Sequence, residues 1–514
     1  MNPVATSRSA PAGPLLIEGA RVLALDAQDN EWLCADILIS GGRIESIGAG
    51  LPVPEGTPRL DARGLLAMPG LVNAHFHSPG NLMRGQLDGL PLELFMLYEV
   101  PPLAECGDDQ GRMAYLRTMM GAMEMLERGI TTVHDDAYHV PIATTGSIDA
   151  VMQAYADSGI RATVAIDQPN VVEYEKFPYL RELLPPELRV EMEAVPLQDA
   201  QELLALYRHL IERWHGVAGG RLAAAVSCSA PQRVTRPYLQ ALGDLSRRFD
   251  LPYNLHVLET KLQRATGHER FGRSLLRHVH EAGVLDERCQ VIHAVWIDED
   301  DLHLLAHSGA VVAHNPVCNL RLGSGVMPWR ALRDAGVPIA IGTDELCTDD
   351  TANVWLAGKM AGLVHNLSSP DPENWPRHAE VLNAMTAGGA RSVRRSGELG
   401  QLVPGALADI ILLDLDRWTF TPCNDLRRQL VYSEDGSSVR HVIVNGEVVV
   451  RDRMHASIDA RAIREEIREL APAIEAQWAR SHAAASRLWP HYRAMLRKAH
   501  AQPSGLTRRV VAGD

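Results

Sequence analysis

The chain is 514 residues long, 46% hydrophobic and 22% charged. That is ordinary globular composition, which excludes disorder or low complexity over most of its length. Acidic residues outnumber basic ones 64 to 50, a net charge of −14. Nucleic acid and anionic membranes are therefore poor partners.

No run of about 18 apolar residues is present to span a bilayer. Residues Met1 to Pro14 lack the apolar stretch of a signal peptide and read as a frayed tail. The seven cysteines, Cys34, Cys106, Cys228, Cys289, Cys318, Cys347 and Cys423, form no CxxC pair. Neither a disulfide framework nor a cysteine zinc site is indicated. The expectation is a reduced, cytoplasmic protein.

In chain order, Leu15–Leu25 and Ala35–Ile44 read as short strands, the second folded back at Gly41-Gly42. A run of alternation follows over residues 67–398. Its apolar segments are Ala67–Ala74, Thr131–His134, Arg161–Ile166, Leu222–Ser227, Tyr253–Val257, Val291–Ala294, Ala310–Ala313 and Val337–Thr343. Most are followed by helical patterns such as Met113–Arg128 or Tyr238–Arg248. Eight β/α units predict a (β/α)₈ TIM barrel, an α/β fold. Gly85–Gly107 and Val171–Pro186 are long loops after the first and third strands, candidate lids.

Ala406–Leu413 is a further strand, and His441–Val450 a hairpin turned at Asn445-Gly446. These pair with the N-terminal strands into a discontinuous β-sandwich domain, residues 15–66 plus 399–455. Residues 456–514 form a C-terminal helical extension, which docks on its own barrel or on a partner subunit. Ile463, Ile467, Leu470, Ile474 and Trp478 make one apolar stripe, with a kink or break expected at Pro472.

The chemistry concentrates at predicted strand ends. The first strand closes in His75-Phe76-His77, and period-two alternation points both imidazoles the same way. Such a pair suits a borderline metal. The fifth strand leads to His256 and Glu259, the sixth to His293, the eighth to Asp344. These positions share the barrel face where active sites are built.

Asn73-Ala74-His75-Phe76-His77, Leu82-Met83-Arg84-Gly85 and Leu90-Pro91-Leu92 resemble the amidohydrolase superfamily, in its chlorohydrolase and deaminase branch. So do His256-x-x-Glu259, His293-x-x-Trp296, His314-Asn315-Pro316-x-x-Asn319 with Leu322-Gly323-Ser324-Gly325, Gly342-Thr343-Asp344, the Leu399–Asp409 run and Val444-Asn445-Gly446. The resemblance covers roughly residues 15–455. It implies that His75, His77, His256 and Asp344 hold one divalent metal, zinc first and iron as the alternative. It also implies that Glu259 is the acid/base and that His293 polarises the attacked carbon's substituent. In a continued strand Glu259 would face away from His256, so the chain must turn between them. The lysines are Lys176, Lys261, Lys359 and Lys498, none on the fourth strand, so no carboxylated lysine can bridge a second metal.

Glu345 stands where relatives carry glycine, as a helix cap or as a carboxylate aimed at an amino-bearing substrate. His314, Asn319, Trp296, Tyr138 and His139 are the other candidate substrate contacts. The reading is a metal-dependent aminohydrolase that deaminates a small-molecule nitrogen heterocycle, with Asp344 accepting a proton from water. Hydrolysis of another C–N, C–Cl or urea-type bond is the rival enzyme reading, and a non-catalytic scaffold the rival class. The family habit favours a homo-oligomer.

Overall fold

The structure is a computed structural model that describes residues 13–103 and 110–509. Residues 1–12 of the expected N-terminal tail, and residues 104–107 of the first expected lid loop, lie outside the described residues.

The central strands are parallel and buried on both faces, as near-continuous apolar runs require. In chain order they are β1 (Leu71–Phe76), β2 (Ile130–Tyr138), β3 (Arg161–Asp167), β4 (Leu222–Ala224), β5 (Val226–Ser227), β6 (Tyr253–Val257), β7 (Cys289–His293), β8 (Val311–His314) and β9 (Ile339–Ile341). They hydrogen-bond as two parallel sheets, β1-β2-β3-β4 and β5-β6-β7-β8-β9. The expected fourth strand is therefore two short ones, interrupted at Ala225, whose N–H still donates to the Val164 carbonyl at 2.8 Å. At the other edge the Asp344 N–H donates to the His75 carbonyl at 3.0 Å.

Helices connect the strands. Ala200–Trp214 shows why they form: Asp199 caps its first turn in a capping box with Glu202, and Leu203, Tyr207, Leu210, Ile211 and Trp214 bury one face.

The expected strand Ala67–Ala74 divides at Gly70. Leu65–Pro69 belongs to a different sheet, and the chain enters β1 only after the glycine. A Cβ on Gly70 would lie 2.2 Å from Thr131 Oγ1, so only glycine lets the crossing strand approach β2.

The strands at the two ends of the chain, expected as a sandwich, are joined in one mixed nine-stranded hydrogen-bonded sheet. Leu65–Pro69 is the seam: it runs parallel to Leu15–Leu23 and antiparallel to Ile410–Asp414. Ile17, Ile37, Ala67, Ile410 and Ile443 share one core, so the N- and C-terminal segments cannot be packed separately. The Asn445-Gly446 turn joins Val439–Val444 to Glu447–Arg451 with both residues at positive φ, as read from the sequence.

The C-terminal helices are Ala460–Glu469 and Ala471–His500, broken at Leu470, with Pro472 in the first turn of the second. Leu488, Tyr492 and Met495 pack on Leu94, Leu97 and Tyr98 of the helix Leu92–Glu99 and on Phe177 and Leu180. The extension thus docks on its own chain, over both segments expected as lids. Those segments are not bare loops. One holds the helix Leu92–Glu99, the other the short helices Glu173–Lys176 and Leu180–Leu183.

One buried ion pair ties the terminal sheet to the parallel strands. Arg161, opening β3, donates from Nε and Nη2 to the two carboxylate oxygens of Asp409, both at 2.9 Å. Their side chains are 4% and 2% exposed. Breaking a buried pair leaves a charge without compensation, at a cost of about 3–5 kcal/mol. Asp409→Ala should lose about that much stability, read as a lower denaturant midpoint.

Candidate metal centre

Each site residue sits where a parallel strand ends. His75 and His77 close β1, and the Ser78 N–H just beyond donates to Asp135 Oδ1 of β2 at 2.9 Å. Asn73, two residues before His75, accepts the Thr343 N–H at 3.0 Å and donates to Thr343 Oγ1 at 2.8 Å. Those two bonds hold Asp344 against the first strand. Gly342 makes the contact possible, because a Cβ there would meet Asn315 Oδ1 at 2.4 Å and His75 Cβ at 2.8 Å. β6 ends at Val257, and Leu258 adopts φ 56°, the turn that carries Glu259 back towards His256. His293 at φ 72° and Asp344 at φ 67° are likewise left-handed. Backbone conformations of this kind gather at functional sites.

The hydrogen bonds sort the histidines. The Nδ1 of His77 meets the Asp136 carbonyl at 2.5 Å, and the Nδ1 of His256 meets the Ser229 carbonyl at 2.7 Å. A carbonyl only accepts, so both Nδ1 atoms carry the proton and both Nε2 atoms keep a lone pair. Yet the Nε2 of His256 lies 3.2 Å from the Nε2 of His77 and 3.2 Å from that of His75. Asp344 Oδ1 is 3.6 Å from His75 Nε2 and 3.7 Å from His77 Nε2. Converging lone pairs beside a carboxylate repel one another unless a cation sits between them. The donor set, imidazole nitrogens plus carboxylate oxygen, fits a divalent metal.

The electrostatics point the same way. Burial lowers the pKa of His75 and His256, and the charge of His77 lowers them further. Burial opposes protonation of His77 too, but Asp344 and Asp136 hold it up to about 9. The cluster thus attracts one positive charge, which a metal would supply in place of that proton.

His293 is the opposite tautomer. The Nδ2 groups of Asn319 and Asn315 face its Nδ1 at 3.0 and 3.3 Å, so Nδ1 accepts and Nε2 carries the hydrogen. That Nε2 lies 3.5 Å from Glu259 Oε2 and 3.7 Å from Asp344 Oδ2. His293 is therefore set up as a donor. Burial, then Asp344 and Glu93, push the Glu259 carboxyl well above the usual range. Burial thus favours its neutral, proton-bearing form.

His77, His256, Glu259, His293 and Asp344 line one cavity of about 630 Å³, which His75 underlies. Tyr138 and Glu345 line it as well. His139 lines a neighbouring cavity of about 740 Å³ that shares Tyr138 and Lys176 with the first. The remaining candidate substrate contacts are engaged elsewhere. His314 faces His365, Nε2 to Nε2 at 3.1 Å, Asn319 holds His293, and the Trp296 indole donates to the Ser324 carbonyl at 2.8 Å.

The sequence reading missed Asp167, Glu99, Arg233 and Lys176 on the cavity wall. Asp167 closes β3 and could have been found by the strand-end logic that found the rest. Glu99 could not, because the segment holding its helix reads as a loop.

A family model described as the amidohydrolase family matches residues 66–449. The chain belongs to that family. A 5-methylthioadenosine/S-adenosylhomocysteine deaminase of Pelotomaculum thermopropionicum is 30% identical over 460 residues, 89% of this chain and 98% of the relative. An adenosine deaminase from Xanthomonas campestris with bound zinc superposes at TM-score 0.79 and 25% identity, covering 91% of this chain and 99% of that one. An atrazine chlorohydrolase from Arthrobacter aurescens, complexed with zinc, superposes at 0.80 and 26% identity, covering 89% and 99%. Family and neighbours make this a TIM-barrel-like α/β protein.

Replacing His75 or His77 by Ala removes one nitrogen from the group of side chains that could hold a metal. Either variant should keep its circular dichroism and thermal transition but lose bound metal, by elemental analysis, and turnover with it.

Proposed function

We propose that the protein is a mononuclear zinc-dependent aminohydrolase that releases ammonia from an aminated nitrogen heterocycle. The observation that carries this is the arrangement of the buried groups: the Nε2 atoms of His75, His77 and His256 converge beside Asp344, while the Nε2 of His293 and the carboxyl of Glu259 face each other next to them. The relatives named as deaminases support the reading and suggest an adenosine-derived substrate.

In this reading His75, His77, His256 and Asp344 hold the ion. When bound, the ion supplies a nucleophile at neutral pH by lowering the pKa of water from about 15.7 towards about 7. The chain's own groups do the rest. Asp344 takes up a proton from the attacking water at a carboxylate oxygen. Glu259, kept neutral by burial, delivers its proton to the ring nitrogen next to the attacked carbon. His293 donates its Nε2–H to the oxygen on which charge develops, and the proton held by Asp344 passes to the exocyclic amino nitrogen as its bond to the ring carbon breaks and ammonia leaves. The cavity walls exclude water and orient the ring.

The Ala225–Val164 and Asp344–His75 hydrogen bonds support closure of the parallel strands into one barrel over residues 67–398. The nine-stranded sheet with its own core supports a composite β-sandwich domain of 15–66 and 399–455. The helices Ala460–Glu469 and Ala471–His500 support the C-terminal helical extension. The absence of lysine from β4 and β5 supports a single ion. The protein as purified should carry about one zinc per chain, iron being the other metal to assay. Two stoichiometric ions would overturn the mononuclear reading.

The function is tested with a panel of aminated purines, pyrimidines and pterins, aminated and chlorinated triazines, and ureas, scoring ammonia and chloride release. Ammonia from a heterocycle supports deamination. Chloride alone would place the enzyme with the chlorohydrolase. Glu259→Gln should keep its metal and change KM little, because Gln preserves shape and hydrogen bonding. It cannot deliver a proton, so kcat should fall about 10²–10⁴-fold.

A further inference from the structure

The cavity holds more carboxylate than the proposed chemistry uses. Glu345, next to Asp344, is 5% exposed, and Glu99, closing the helix Leu92–Glu99, is 9% exposed. Both line the cavity, and each carboxyl raises the cost of charging the other. A Glu345 oxygen lies within 4.8 Å of donor atoms of His77 and Asp344, beside the metal centre.

Neither carboxyl is matched by a cation. Among the described residues no ion pair reaches Glu99 or Glu345. Of the two basic residues on the cavity wall, Lys176 pairs with Glu173 Oε2 at 2.6 Å, and Arg233 donates to Ser229 Oγ at 3.0 Å and acts on Glu259 and Asp167 rather than pairing with Glu99 or Glu345. The thiol of Cys347, 2.7 Å from Glu345 Oε2, is a weak donor.

A third group faces the same space. Tyr138 is 8% exposed and lines the cavity, with its ring 5.9 Å from that of His77. Its hydroxyl makes no hydrogen bond to any described residue. Burial, then Glu99 and Glu345, push its phenol well above the usual range, so the hydroxyl stays neutral in their field. A buried pair of acidic side chains and a hydroxyl with no partner among the described residues leave hydrogen-bonding capacity unused on one wall of the cavity. One cationic, N–H-rich group would relieve both.

We propose that Glu99, Glu345 and Tyr138 form a recognition site for an amino or amidinium group that the substrate carries in addition to the amino group that leaves. The inference rests on the deaminase reading of the same cavity. Apolar Leu92, Phe95 and Leu322 supply contact for the flat body of such a substrate, and the carboxyl pair selects its second nitrogen function.

Two matched pairs of compounds test this. One is 2,6-diaminopurine against adenine, with the extra amino group on the ring. The other is 5′-amino-5′-deoxyadenosine against 5′-deoxyadenosine, with it on the appended sugar. Ammonia release gives kcat/KM for each, and calorimetry on the metal-loaded Glu259→Gln protein gives Kd with turnover suppressed. The wild type should prefer the amino-bearing member of at least one pair by about tenfold or more. Glu345→Gln and Glu99→Gln should each cut that ratio by about 10- to 100-fold, the range of a charge-assisted hydrogen bond. Tyr138→Phe, which removes only a hydroxyl, should cut it about three- to tenfold, and it decides the matter if a carboxamide variant fails to fold. A ratio near one for both pairs in the wild type, or one unchanged in the variants, overturns the proposal. If none of the four compounds yields ammonia, the deaminase reading fails on these substrates, while the calorimetric ratios still decide the recognition site.

Discussion

The Nε2 atoms of His77 and His75 each lie 3.2 Å from the Nε2 of His256, and backbone carbonyls hold the Nδ1 hydrogens of His77 and His256. The carbonyls of Asp136 and Ser229 belong to the ends of other strands, so the tautomers of His77 and His256 are set by how the strands are stacked. A buried cluster of lone pairs beside Asp344 is tenable only around a positive charge. The other arrangements near the strand ends serve that constraint or its chemistry. Gly342 lets the segment before Asp344 approach His75, Asn73 clamps it, and Asp135 anchors the chain just after His77.

The same parallel stacking separates two roles that one residue type could fill. His293 is as buried as the other three histidines, but two asparagine amides occupy its Nδ1, so it presents a hydrogen where the others present a lone pair. Glu259 faces that hydrogen from a segment bent by Leu258 at positive φ. Around these groups the chain is braced from outside. The helix Ala471–His500 lies on the segments that carry Leu92, Phe95, Glu99 and Lys176 to the cavity wall, and the hydroxyl of its Tyr492 donates to Glu173, the partner of Lys176.

Much of this was legible in the sequence because it is local. Period-two alternation put His75 and His77 on one face, and the need for a turn before Glu259 follows from the same rule. The Asn445-Gly446 hairpin and the break before Pro472 are written in residue types with few conformational options. What could not be read depends on contacts between distant residues. The split at Gly70 arises because Thr131 crowds the crossing. The helix Leu92–Glu99 has a weakly patterned sequence and is stabilised by packing under the C-terminal helix, 400 residues away in the chain. The tautomer of His293 depends on Asn315 and Asn319, whose motif was visible but whose amide directions are a property of the fold. His314 and Trp296 stand at strand ends like the site residues, yet the Nε2 of His314 faces His365 and the indole N–H of Trp296 donates to Ser324. Position at a strand end nominates a residue, and only its hydrogen-bond partners decide whether it is free to act.

The central claim is that three imidazoles and a carboxylate converge on one cation. X-ray absorption spectroscopy at the metal edge of the purified protein measures that convergence directly. The account predicts a first shell of nitrogen and oxygen only, at about 2.0–2.2 Å, with the outer-shell scattering of about three imidazole rings and no metal–metal vector. A shell containing sulfur near about 2.3 Å, or one with no imidazole scattering, would contradict it.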